Sequence, residues 1–256
     1  MHPVLEREWP VAAAHRGSRL LWPENTMPAF QGAHDLGVRV FETDLHATSD
    51  GILVTFHDPT LDRTTDATGP IAARSVAELV DVDAGYHFEV DGDRPHRARG
   101  VGIPTLEEVA TTFPDTAFVL DMKAPGIEAL LAETIERLDL WDRVIVGSFR
   151  DARLRRLRRL TGGRVATSSG PVETLAVRTR SWLRRMAHSP ADVFQVPVRA
   201  GVTVVDERFV DAAHRAGKHV HVWTINDEDE MRRLLDLGVD GLVTDRPDLL
   251  KGVLGR

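Results

Sequence analysis

Cysteine is absent from all 256 residues, which excludes disulfides and thiolate metal sites. Long apolar runs are missing as well. No N-terminal stretch reaches the ~7–15 residues of a secretion-signal core, and none reaches the ~20 needed to span a bilayer. A basic stripe is also lacking: the net charge is -7, the isoelectric point is about 5.9, and the arginines are scattered along helical segments. Nucleic-acid binding therefore has no support, and an anionic substrate would depend on local positive charge. The missing apolar runs predict a cytoplasmic protein with no stable membrane insertion, and the missing basic stripe predicts no nucleic-acid partner. The lack of cysteine decides nothing about compartment, and the oligomeric state stays open. What is present is 42% hydrophobic residues, enough for one large α/β barrel or two small domains.

The chain alternates strand and helix patterns. "VAAAH" (11–15) reads as a strand, and "ENTMPAFQGAHDLG" (24–37) as a helix with Thr26 as N-cap, Pro28 in the first turn and Gly37 beyond the C-terminus. Further strands are expected at 38–44, 116–123, 143–149, 164–169, 192–198, 218–226 and 240–245. Helices fall between them over "TLEEVATTF", "IEALLAETIERLDL", "DARLRRLRRL", 171–186, "DERFVDAAHRAG" and "DEDEMRRLLDLG". Near-continuous apolar strands separated by helices indicate a parallel sheet buried on both faces. Eight such units predict an α/β protein with a closed (β/α)8 TIM barrel, a single domain over 1–256 whose catalytic groups sit at the C-terminal strand ends.

Polar residues do fall at those ends. His15 and Arg16 close the first strand, Glu42 and Asp44 the second, and Asp121 and Lys123 the third. Ser148, Gln195, and Trp223 with Thr224 and Asn226 close the fourth, sixth and seventh.

The segment 45–104 breaks the rhythm. In "DLHATSDGILVTFHD" the Asp50-Gly51 pair is a hairpin signal. A turn on Asp50-Gly51 puts His57 opposite Asp44, and one on Ser49-Asp50 puts it opposite Glu42. Both place His57 on the carboxylates' strand face, because side chains alternate with period two. From Pro59 to Gly102 the chain reads as an insertion over the barrel mouth, with Tyr86, His87 and Phe88 packing onto the rim in preference to touching substrate.

Glu42, Asp44 and Asp121 are three carboxylates from neighbouring strands. Their repulsion raises at least one pKa unless a cation is present, so one hard divalent ion, calcium or magnesium, is the natural cofactor; structural pairing with arginine is the alternative. With Arg16 and Lys123 the set carries one net negative charge, which a divalent ion would reverse in favour of a phosphodiester. Arginine can hold two phosphate oxygens in its fork, and lysine acts as a compact charge. His15 and His57 suit the two proton transfers that phosphodiester cleavage needs, while the other nine histidines are read as surface or packing groups, mostly on helices or in the insertion.

These residues sit in an ordered set of motifs: "AHRG", "PENT", "FETDLHATSDG", "VTFHD", "LDRTT", "IPTLEE", "LDMK", "VGSF", "VWTIN" and "GLVTD". Through them nearly the whole chain resembles the glycerophosphodiester phosphodiesterases. The resemblance implies a TIM barrel with an insertion after the second strand, and metal-dependent hydrolysis of a small-molecule glycerophosphodiester to glycerol phosphate and an alcohol. It implies His15 and His57 as the acid/base pair, Glu42 and Asp44 as metal ligands, and Arg16 and Lys123 as phosphate contacts; we place Asn25 and Trp223 with these as substrate-binding residues. The third ligand of the family is usually Glu in a Glu-x-Lys motif, and here it is Asp121. Attack by the substrate's own glycerol hydroxyl, through a cyclic phosphate, is the implied route. The alternatives are a lipid-directed enzyme of the phospholipase or sphingomyelinase D type, and a non-catalytic anion-binding barrel.

Overall fold

A computed structural model describes residues 2–6, 10–183 and 188–255. Eight parallel strands form the barrel: β1 (Val11–His15), β2 (Val40–Ala47), β4 (Ala117–Met122), β5 (Val144–Gly147), β6 (Ala166–Thr167), β7 (Val193–Pro197), β10 (His219–Trp223) and β11 (Gly241–Thr244). Their order is β6-β5-β4-β2-β1-β11-β10-β7, and a parallel bridge between Ser168 and Val193 brings the two ends together. Off this ring lie β3 (Leu53–Thr55), antiparallel to β2, and a small exposed hairpin, β8 (Arg199–Ala200) with β9 (Val202–Thr203).

The helices are α1 (Met27–Asp35), α2 (Val76–Leu79), α3 (Leu106–Thr112), α4 (Glu128–Arg137), α5 (Asp151–Leu160), α6 (Pro171–Trp182), α7 (Glu207–Arg215), α8 (Glu228–Asp236) and α9 (Pro247–Leu254). Residues 184–186 of the expected helix 171–186 lie outside the described residues. Local chemistry explains several boundaries. Thr105 and Glu108 form a reciprocal capping box at the start of α3, and Asp206 and Asp227 accept from the first turns of α7 and α8. In α5, Leu154 and Leu157 are buried three residues apart among five arginines, the pattern of a helix packed on one face. Thr26 differs from expectation: it occupies the N-cap position of α1, but its hydroxyl donates to Pro23 O at 2.6 Å instead of capping the helix. No helix among the described residues is long and apolar enough to cross a membrane.

Period-two alternation divides each barrel strand between two cores. Val11, Ala13, Val40, Val119, Ile145, Ala166, Val193 and Val243 pack together inside the barrel, whereas Phe41, Leu45, Phe118, Leu120 and Val146 pack outward against helices. Continuing the inward parity to the strand ends brings up His15, Glu42, Asp44 and Asp121. Strand register aligns them, with His15 beside Glu42 and Asp44 beside Asp121. The same spacing that fills the barrel floor with valines therefore presents its acids and imidazole at the mouth.

The hairpin follows neither expected register. Thr48 N donates to Ile52 O and the ladder pairs Leu45 with Thr55, so three residues, Ser49, Asp50 and Gly51, make the turn. Gly51 at φ +76 supplies the extra left-handed residue of such a loop. This register would put His57 opposite Thr43, on the wrong face. His57 reaches the mouth because pairing stops at Thr55 and the chain bends away, with Phe56 N bonded to Asp44 O at 2.9 Å.

The insertion adds no residue to the lining of the mouth cavity. Val54 and Phe56 before it pack with its Leu61, Ile71 and Leu79 in a small separate core, and over residues 45–104 only His57 lines the mouth cavity. Tyr86, His87 and Phe88 pack within the insertion, Tyr86 under Arg97 and against His87, Phe88 against His96. Three of the histidines read as surface or packing groups, His46, His219 and His221, prove to be buried on strands.

Candidate active site

A cavity of about 840 Å³ opens at the C-terminal strand ends and is lined by His15, Arg16, Glu42, Asp44, His57, Asp121, Lys123 and Trp223. Eight of the nine sequence-predicted site residues thus share one cavity. The ninth, Asn25, is not among its lining residues. It is buried, its Nδ2 donating to Asp44 Oδ2 at 3.0 Å while its Oδ1 accepts from Thr43, so Asn25 braces a carboxylate from behind.

Each predicted catalytic imidazole has its Nδ1 held by a carboxylate. His15 Nδ1 lies 2.6 Å from Asp245 Oδ1, and His57 Nδ1 lies 2.5 Å from Asp58 Oδ1. This leaves Nε2 of each ring for chemistry. Asp245 is fully buried and also accepts from Arg19 Nε and Asn226 Nδ2; Asp58 also accepts from Arg63. Burial lowers the His15 pKa, but Glu42, with Nε2 at 3.8 Å, and Asp245 outweigh that effect and hold it above the ordinary value.

Arg16 follows His15 with φ at +51, a left-handed conformation that costs most non-glycine residues about 1–3 kcal/mol. Its backbone N–H donates to Glu42 Oε2 at 3.1 Å, its Nη1 donates to Glu24 Oε1 at 2.9 Å, and its Nε lies 3.2 Å from Asp44 Oδ2. The next residue must be glycine: Gly17 has φ +72, and a Cβ there would sit 2.8 Å from Ala29 Cβ. Arg63 bridges Glu24 to Asp58, so an ion-pair chain runs from Arg16 through Glu24 and Arg63 to the partner of His57.

Lys123 Nζ lies 2.5 Å from Asp121 Oδ2 and 3.0 Å from Asp44 Oδ1. Asp44 is held below its ordinary pKa, because Lys123 and Arg16 outweigh the effect of burial. Glu42 behaves oppositely: burial, then the Asp44 charge, push it up to about 7. Asp121 is also raised, chiefly by burial, and its Oδ1 is buried without a hydrogen-bond partner. Among the described residues, no three His, Asp or Glu side chains are drawn together as a ready-made metal cage.

Residues 15–249 match the model of the glycerophosphoryl diester phosphodiesterase family. The chain belongs to that family. It is 38% identical over 252 residues to a Mycobacterium tuberculosis protein named probable glycerophosphodiester phosphodiesterase 2, covering 95% of this chain and 90% of that one. A glycerophosphodiester phosphodiesterase of Caldanaerobacter subterraneus is 30% identical, covering 93% and 94%. The barrel is similar in fold to a glycerophosphoryl diester phosphodiesterase domain from Mycobacterium tuberculosis, with TM-score 0.84, 23% identity and coverage of 97% and 100%. An Oleispira antarctica phosphodiesterase in complex with the product sn-glycerol-3-phosphate has TM-score 0.77 at 26% identity, covering 97% and 98%.

Within this phosphodiesterase fold, sequence reasoning passed over Asp245, Glu24, Asp58, Arg63 and the β8–β9 hairpin. Asp245, Glu24, Asp58 and Arg63 were visible in "GLVTD", "PENT", "VTFHD" and "LDRTT", but nothing in those motifs says that Asp245 faces His15 across 230 residues. Gln195, on the cavity wall with Nε2 buried and unpartnered, is a further donor available to a substrate.

Proposed function

We propose that this chain hydrolyses glycerophosphodiesters to glycerol 3-phosphate and an alcohol, with His15 and His57 transferring the protons. The observation that carries the reading is two carboxylate-held imidazoles in the same cavity as Arg16 and Lys123. Arg16 and Lys123 attract the phosphate monoanion and orient it. One imidazole removes the proton from the glycerol hydroxyl beside phosphorus, that oxygen bonds to phosphorus, and the other imidazole protonates the departing alcohol oxygen. Water then opens the cyclic phosphate with the two roles reversed. The tethered hydroxyl gains from proximity, since its oxygen is already next to phosphorus.

Glu42, Asp44 and Asp121 would hold one calcium or magnesium ion. Their chemistry suits it: burial and the Asp44 charge push Glu42 up to about 7, a penalty that a cation would relieve, and Asp121 keeps one buried oxygen open after Lys123 has taken the other. When bound, the ion would screen the phosphate charge and polarise its oxygens. The open Asp121 Oδ1 favours a single-oxygen or water-bridged role for this shorter arm.

The test is release of glycerol 3-phosphate from a panel of glycerophosphodiesters, with and without chelator. We expect turnover that chelation abolishes and added metal restores. Phosphate-anion binding without turnover would instead support the anion-binding barrel.

A further inference from the structure

The mouth cavity is chemically divided. Most charged groups gather at the ends of β1, β2 and β4, whereas on the other side, beside Arg178, which is paired with Asp206, and Arg199, much of the wall is hydrocarbon: Phe149 after β5, Leu175 on α6, Pro197 on β7, and Ala200 and Val202 on the β8–β9 hairpin. Three of these side chains are strongly exposed, Phe149 at 58%, Leu175 at 60% and Val202 at 45%. Val172, on the same face of α6 three residues before Leu175, is exposed too. An isolated exposed apolar residue needs no explanation, but a set contributed by three elements to the rim of one binding cavity does.

A small polar alcohol would leave this wall in water. A quaternary ammonium group against Phe149 and Trp223, whose rings meet edge to face at 5.6 Å, would be opposed by a cation already in place, because Lys123 Nζ lies 5.3 Å from the Phe149 centroid. What complements the wall is a flexible hydrocarbon chain.

We infer that the preferred substrate carries one such chain, leaving the phosphate site along Phe149, Leu175 and Val202: a monoacyl or monoalkyl glycerophosphodiester. This rests on the hydrolase reading above and names the substrate class of the same site. The bonds made and broken do not change. The P–O bond to the alcohol breaks, the alcohol oxygen takes a proton, and the oxygen of water ends on phosphorus. A chain attached through glycerol and one attached through the leaving alcohol share this chemistry.

The experiment compares kcat/KM for glycerophosphocholine, 1-octanoylglycerophosphocholine and glycerophospho-octanol by phosphorus NMR, each below its critical micelle concentration. Burying a methylene favours binding about fourfold, and a half-open wall removes roughly three or four of them from water. At least one chain-bearing substrate should therefore exceed glycerophosphocholine by about 10²-fold. In Leu175→Asp/Val202→Asp, and separately in Phe149→Ser, that ratio should fall toward one; all three positions are exposed, so folding is not at stake. A ratio near one in the unaltered protein, with glycerophosphocholine still cleaved, overturns the inference and leaves the hydrolase reading standing. A high ratio that survives both variants overturns the assignment to this wall. No turnover of any of the three overturns the hydrolase reading itself.

Discussion

Replacing Asp245 by Asn separates the orientation of His15 from its presence. Asp245 is fully buried and accepts from His15 Nδ1 at 2.6 Å, Arg19 Nε at 3.0 Å and Asn226 Nδ2 at 2.9 Å. Burial alone would raise its pKa, yet the bond and charge of His15, with Asn226 and Arg19, hold it below the ordinary carboxylate value. An amide keeps the shape but offers one acceptor oxygen to three converging donors, and its NH2 group would face a donor. A buried hydrogen bond to a charged group is worth about 1.5–3 kcal/mol. At ~1.4 kcal/mol per decade, its loss from the transition state lowers kcat about 10- to 150-fold, with KM nearly unchanged because His15 does not hold the phosphate. Asp58→Asn is the internal comparison. The Asp58 side chain is 23% exposed, so water can replace part of what the carboxylate supplies to His57, and the loss should stay within about tenfold. Steady-state kinetics on glycerophosphocholine at neutral pH, with circular dichroism to confirm the fold, provides the assay. An Asp245→Asn enzyme within twofold of wild-type kcat, or one less impaired than Asp58→Asn, refutes the argument.

His15→Ala and His57→Ala should each lower kcat by roughly 10²–10⁴-fold with the fold intact, the range for losing a general acid or base; near-normal turnover in either removes that histidine from the mechanism. If the glycerol hydroxyl attacks first, bis(p-nitrophenyl) phosphate, which has no such hydroxyl, should be cleaved more slowly than glycerophosphocholine despite its better leaving group, and the reverse order would count against the cyclic route. In metal titration after chelation, Asp121→Asn should weaken activation and Asp121→Glu should tighten it; unchanged affinity and turnover in Asp121→Asn would take Asp121 out of the site. His221, buried inside the barrel, is held down at about 4 because burial penalises the imidazolium. Between pH 6.5 and about 4 the unfolded chain therefore binds a proton that the folded chain does not, so stability falls as pH falls, by at most about 3 kcal/mol. His221→Gln should flatten the urea-derived stability slope across that window, and an unchanged slope would show that His221 does not drive it.

Several features were legible in the chain because they depend on neighbours in sequence. The eight strands appear as apolar runs, and their period of two carries Val40, Glu42 and Asp44 to one face, as it does Ala117, Val119 and Asp121. The capping box on Thr105 and Glu108 marks its helix in the same way. The hairpin was less legible. One left-handed glycine lengthened the turn by a residue, which reversed the face that simple alternation assigns to His57. His57 lines the mouth only because the strand ends early.

By itself, then, the sequence determined the barrel, the inward row of acids and imidazole, and the family, because each rests on local periodicity or on the order of short motifs. Tertiary structure alone decided the partnerships. Asp245 reaches His15 because β11 closes against β1, Asn25, expected among the substrate-binding residues, turns behind Asp44, and Lys123 comes between Asp44 and Asp121. The apolar wall belongs to this second group. Phe149, Leu175 and Val202 lie on separate loops and helices, and only barrel closure sets them around one cavity, since no local rule links side chains so far apart in the chain.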